Sequence, residues 1–125
     1  MANECIPFYE PGRRLTGHAT ATVTGCRFVM ISGNRQTDGS ISVSHATAAT
    51  KAFGVAAYDA AIGEKVGILR GGGFIVPVTA AANLSANQRV EVGTNGQAAA
   101  LASGIAVGTV VTGATSGNLA QIALD

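Results

Sequence analysis

The sequence predicts an all-β fold: a single compact β-barrel or sandwich-like domain with an extended N-terminal arm and an internal duplication. Three observations carry this expectation. Short apolar runs alternate with other residues at period two, the mark of a half-buried strand. Turn pairs such as Gly33-Asn34 and Asp38-Gly39 separate them. The skeleton of residues 53–69, FGVAAYDAAIGEKVGIL, returns at the C-terminus with a constant offset of 54. Gly54 falls on Gly108, Ala60 on Ala114, Gly63 on Gly117 and Ile68 on Ile122, with Val66 matched by Ala120. Each copy reads as a hairpin whose turn is closed by a glycine that can reach positive φ without a Cβ clash.

A weaker echo precedes each hairpin. Arg27-Phe28-Val29-Met30-Ile31 with Asn34 and Gln36 resembles Arg89-Val90-Glu91-Val92 with Asn95 and Gln97, at offsets of 62 and then 61. The drift to 54 leaves the first copy with additional residues, which we place in His45 to Thr50, a loop or short helical turn. Two copies are too few for a solenoid, so a duplicated half closing into one barrel or sandwich is expected.

Taken in order, residues 1–20 form an arm and first edge strand, and residues 21–125 form the barrel-like domain. Pro7 and Pro11 flank Phe8, Tyr9 and Glu10; proline removes an amide donor and suits an extended arm. Leu15 to Thr24 alternates threonine with small apolar residues, and Arg27 to Ser32 is an apolar run expected in the core. Ser40 to Ser44 alternates again. Three successive glycines, Gly71 to Gly73, answer a need for tight turning or close backbone approach before the strand Phe74 to Val78, which Pro77 confines to an edge or bulge. Ala80 to Leu84 is the one stretch that reads as a helical turn or two. The second copy closes the chain at Leu119 to Leu124.

Composition narrows the function. Apolar residues make 47% of the 125, charged ones only 12% and aromatic ones 5%, about half the usual charge. So little charge implies a surface covered by copies of the chain or by another protein. Net charge is +1 and the longest basic run is Arg13-Arg14, which argues against a nucleic-acid partner. No stretch of eighteen apolar residues would span a bilayer, and the N-terminus lacks the order of a signal peptide, so synthesis in a cytoplasm is expected.

A catalytic set is not expected either. His18 lies in a threonine-rich strand and His45 in a small-residue segment, with no activated Ser or Cys nearby in sequence. Asp38 and Asp59 suit turns, and Glu64 beside Lys65 suits a solvated tip. Neither Lys51 nor Lys65 sits in a phosphate-binding loop. Cys5 and Cys26 lack the spacing of a zinc site and read as ordinary small side chains, Cys26 the better candidate for burial. No cofactor and no metal are expected.

At Phe53-Gly54-Val55-Ala56, Gly63, Val66-Gly67-Ile68, Gly73-Phe74 and Asn87 to Val92, the chain resembles the small capsid decoration (cement) proteins of tailed bacteriophages, over roughly Cys26 to Asp125. Tyr9-Glu10-Pro11-Gly12 resembles their short opening, although the N-terminal region here is longer, and Glu91 stands where an aromatic is common. The resemblance implies a β-barrel subunit, a homotrimer, bound to the outer surface of an icosahedral head and bridging major capsid proteins. It implies a virion location. Phe8, Tyr9, Arg13 and Arg14 are then the candidate capsid-binding residues, of the kinds interfaces favour. The rival reading is a head-fibre or tail-associated protein binding a host glycan, which would want aromatic platforms that a chain with no Trp and only Tyr9 and Tyr58 is poor in.

Overall fold

The computed structural model describes residues 14–125, so the expected arm, with Cys5, Phe8, Tyr9 and Arg13, lies outside the described residues. Ten strands run through the described part: β1 Arg14–Ala19, β2 Phe28–Ile31, β3 Ile41–His45, β4 Gly54–Ala56, β5 Lys65–Leu69, β6 Ile75–Thr79, β7 Arg89–Val92, β8 Ala98–Ala100, β9 Gly108–Thr112 and β10 Leu119–Leu124. The fold is all-β, with a single short 3-10 turn at Thr94–Gly96.

Strands β1 to β5 close into a barrel in the order β1-β3-β2-β4-β5, and β6 to β10 form a five-stranded sheet in the order β6-β10-β9-β7-β8. The two orders are the same cycle. Strand β1 is parallel to β3 and antiparallel to β5; their counterparts are the single parallel bridge Ala80–Ala98 and the β6–β10 ladder. The bridge Val23–Ala60 recurs as Leu84–Ala114. The duplication is therefore structural, and the barrel closes within the first copy, each copy curling on itself where two halves of one barrel were expected.

The pairing also corrects the register of the echo. Val29 pairs Gly54 as Val90 pairs Gly108, so Phe28, and not Arg27, is the counterpart of Arg89, at an offset of 61. A slip of one residue exchanges the two faces of a strand. Most of the first copy's additional residues lie between β2 and β3, where they fold over the outside of β3. Buried Ser42 donates to Asn34 O at 2.7 Å and accepts from Gln36 Nε2 at 2.8 Å, and Lys65 Nζ ties Asp38 and Ser40 to β5 at 2.6 and 2.7 Å. Ala80 to Leu84 is not helical, because Ala80 and Leu84 are both held in bridges, where tertiary pairing overrides alanine's helix preference.

Each copy has its own core. The first buries Ala19, Val23, Val29, Val43, Ala56, Val66 and Ile68; the second buries Ala80, Leu84, Val90, Ala98, Val110, Ala120 and Ile122 at the corresponding places. Side-chain volume is redistributed between them. Gly17, whose added Cβ would lie 2.7 Å from Ile68 Cδ1, 3.1 Å from Val43 and 3.2 Å from Val66, corresponds to Val78, and where Val78 fills that space Val43 and Val66 are replaced by Ala98 and Ala120. Gly54 and Gly108 are required for the same reason as each other: a Cβ would lie 2.6 Å from the carbonyl of Leu69 or Ala123 and 2.7 Å from the Cγ2 of Ile68 or Ile122.

The copies are joined by an apolar strip on the outside of the first barrel. Phe28 and Val55 are fully buried against the second core, with Met30 and Leu69 packed beside them. The same positions of the second copy hold Arg89, Thr109 and Ala123, where Arg89 donates to Thr109 Oγ1 and to both carboxylate oxygens of Asp125 at 2.7–2.9 Å. Backbone bonds complete the junction, from Ala49 N–H to Val92 O at 2.8 Å and from Thr79 N–H to Cys26 O at 2.9 Å. The Thr79 amide is thus engaged by the first barrel, and with Pro77 lacking a donor two positions earlier, the β6–β8 seam is left with its one bridge.

Candidate interaction surface

The titratable side chains serve local structure. Nε2 of half-buried His45 accepts the Thr24 N–H at 2.8 Å, and burial, with Arg27 nearby, pushes its pKa down. An acceptor nitrogen keeps its lone pair only while the ring is neutral. His18 lies on the outer face of β1 opposite Lys65. Asp38 accepts from Ser40 N–H and Lys65, whose ammonium holds its carboxyl well below the usual range; Asp59 accepts from Gly25 N–H, and Glu64 from Ala61 N–H. Glu91, at the position where an aromatic was expected, is buried and accepts the Ala102 N–H at 2.7 Å. Cys26 is half-buried, free and held at φ +59°. Among the described residues no group of three His, Cys, Asp or Glu is placed to hold a metal ion.

Concave surface is concentrated at the junction. One groove of about 280 Å³ runs between the copies, with Phe28, Phe53, Ile105, Val107 and Leu124 on its walls. A second cavity of about 590 Å³ opens beside Met30, Ile31 and Thr50. Both are bordered by Lys51, Ala52, Phe53 and Arg70, so the two hollows adjoin in one depressed region of the surface. The Arg70 guanidinium sits 4.6 Å from the centre of the Phe53 ring, a cation–π stack in the lining that the two hollows share. Ile31 and Ile105 stand at the rim, 56% and 52% exposed. Lys51 and Arg70 share the groove's lining with one carboxylate among the described residues, Asp125, which Arg89 already engages and holds below its ordinary pKa.

Of the four residues singled out in the sequence, Phe8, Tyr9 and Arg13 lie outside the described residues. Arg14 is exposed at the start of β1, paired with Leu69, and therefore one residue from Arg70 at the depression's edge. Sequence reading missed Lys51, Phe53, Arg70 and Ile105 as a group: the first three lie far apart along the first copy, and Ile105 joins them only through the junction. The available signal was the triple glycine, since Gly71 lines the groove at φ +104°, a backbone conformation that favours glycine. A second apolar face lies on the outside of the second copy, where Ile75 and Leu119 are more than half exposed on either side of Pro77.

Comparison with known proteins gives the architecture its context. The base of the head fibre, gp8.5 N base, of bacteriophage phi29 shares this fold in its crystal structure, with a TM-score of 0.74 and 24% identity over 90% of this chain and 92% of that one. No curated protein matches. The sequence pattern of the phage cement proteins matches residues 9–124, from Tyr9 through both duplicated copies to the penultimate residue. The chain belongs to the phage cement protein family.

Proposed function

We propose that this protein decorates the outer surface of an assembled icosahedral phage head and stabilises it by bridging neighbouring major capsid proteins. Family membership over residues 9–124 is the observation that carries the reading. Large apolar side chains spread over the described surface, among them Ile31, Ile62, Ile75 and Leu119, support it, because a sparsely charged exterior of this kind is suited to being covered. Partners are the major capsid protein and further copies of the chain as a homotrimer, rather than nucleic acid or a membrane. The proposed action is structural and not enzymatic: a protein that binds only the assembled lattice stabilises it over its dissociated parts by mass action.

Arg14, with Phe8, Tyr9 and Arg13 before it, is the proposed first contact with the shell. Co-sedimentation with expanded, undecorated capsids tests the reading. Full-length protein pellets with capsids, while a variant lacking residues 1–13 stays folded and remains in the supernatant. Capsids that pellet without the full-length protein would refute decoration; full occupancy by the shortened variant would refute the arm's role. The likeness to the phi29 head-fibre base favours a second reading, in which the paired barrels are the attachment base of a virion projection. Decoration at a few positions per head, in place of a uniform coat, would support it.

A further inference from the structure

The junctional groove is lined by the same pieces of both copies. At the constant offset of 54, Lys51, Phe53 and Arg70 on one wall correspond to Ile105, Val107 and Leu124 on the other. Backbone pairing fixes the correspondence, since Phe53 N–H donates to Val29 O at 2.8 Å as Val107 N–H donates to Val90 O at 2.9 Å. The walls are therefore alike in backbone and different in chemistry: Lys51 and Arg70 set two cations where the second copy has Ile105 and Leu124. Both cations are exposed, and among the described residues no ion pair engages either of them. Among the same residues no hydrogen bond uses the Arg70 guanidinium, whose contact is with the Phe53 ring at 4.6 Å. Asp125, the carboxylate in the lining, is held by Arg89 at 2.7 Å. Either copy alone would offer one wall; the duplication brings a basic wall and an apolar one together.

Apolar surface continues into the adjoining hollow through Met30 and Ile31. Ile31 there and Ile105 in the groove each leave more than half of their surface in water, which a partner with apolar side chains would relieve. Charge complementarity selects the partner. Two unengaged cations across from Ile105, Val107 and Leu124 suit a peptide segment with carboxylates on one edge and apolar side chains on the other, and a guanidinium can take a carboxylate in bidentate fashion. A nucleic-acid strand, charged at every phosphate, would leave most of its charge unmatched and lay it against the apolar wall. We propose that this groove receives an acidic segment of the major capsid protein, its carboxylates on Lys51 and Arg70 and its apolar side chains against Ile105, Val107 and Leu124. The inference rests on the reading that the protein decorates the head, and adds the face that meets the shell and the chemistry of what it meets.

Expanded, undecorated capsids are the probe, with binding of the full chain measured by co-sedimentation over a range of protein concentrations. Lys51→Glu and Ile105→Glu, both at exposed positions, are expected to weaken binding by at least about tenfold while the thermal midpoint of the free protein stays in place. Lys51→Arg keeps the charge and is expected to bind as wild type does. Ile105→p-benzoylphenylalanine, irradiated on the capsid, is expected to cross-link to a capsid-protein peptide that carries Asp or Glu beside apolar residues. Wild-type affinity in both glutamate variants would overturn the groove and leave decoration standing, whereas wild-type protein that fails to pellet would overturn decoration and the groove with it. On decorated capsids, the absence of a cross-link, one confined to this chain's own residues 1–13 or to a second copy, or one to a capsid peptide without a carboxylate would each overturn the assignment.

Discussion

Transplanting three residues of the second core into the first is the sharpest test of the duplicated architecture. Gly17→Val alone places a branched side chain where Ile68 Cδ1, Val43 and Val66 already lie within 2.7–3.2 Å of a Cβ, and such overpacking costs about 1–3 kcal/mol. Val43→Ala or Val66→Ala alone removes two buried methyl groups, about 1.6 kcal/mol of transfer free energy each before any cavity contribution. Acting independently, the three changes would cost roughly 5 kcal/mol, a large part of a small domain's stability. Together they recreate the Val78, Ala98 and Ala120 arrangement of the second copy, with a net loss of one methyl group, about 0.8 kcal/mol, partly offset by removing a strand-interior glycine. The triple variant is therefore expected to lie within about 1 kcal/mol of wild type. Urea unfolding followed by far-ultraviolet circular dichroism, with a full set of single and double variants, measures the coupling. A triple variant as unstable as the summed singles would show that the two cores are not interchangeable, and the volume argument would fail.

Stability should fall as pH drops below the ordinary histidine value near 6.5, because the unfolded chain takes up a proton there that half-buried, hydrogen-bonded His45 resists. The contribution is fully present above pH 6.5 and is lost towards the lowered native pKa; His45→Gln should flatten the urea midpoint between pH 7.5 and 5.5, and an unchanged slope would exclude His45 as the source. Gly96→Ala, at φ +76° with its Cβ directed into the Phe28 carbonyl at the junction, should cost at least about 2 kcal/mol. Gly117→Ala, at φ +86° in open space, should cost only about 1 kcal/mol, and equal thermal shifts for the two would contradict the close approach. Glu91→Ala leaves the Ala102 N–H without its acceptor, for a loss of about 1–3 kcal/mol and faster amide exchange confined to residues 101–104; exchange unchanged at Ala102 would rule out the carboxylate as the loop's clamp.

The duplication could be read from the sequence because backbone geometry fixes its markers. Gly54 and Gly108 face equivalent carbonyls at the same distance, and Gly63 and Gly117 share φ +86°, so glycine is favoured at all four places and the spacing of 54 stays visible in the sequence. The β2 and β7 register could not be read the same way. Matching Arg27 with Arg89 assumes that both copies expose the same face, whereas Phe28 is buried at the junction and its counterpart Arg89 meets solvent. Strands β2 and β4, FVMI and GVA, are apolar on both faces, and such a pattern does not say that one face belongs to a neighbouring barrel. The groove in which Ile105 joins Lys51, Phe53 and Arg70 was hidden for the same reason, because its second wall comes from the other copy.

That docking is head-to-tail: the exterior of one unit receives the next, a geometry with no built-in limit, capable in principle of adding units without end. The second unit carries Arg89, Thr109 and the Asp125 ion pair where the first carries Phe28 and Val55. Seating a third unit there would strip water from a guanidinium and a carboxylate with nothing to replace it. A handful of polar atoms thus works as a full stop, and the chain counts to two.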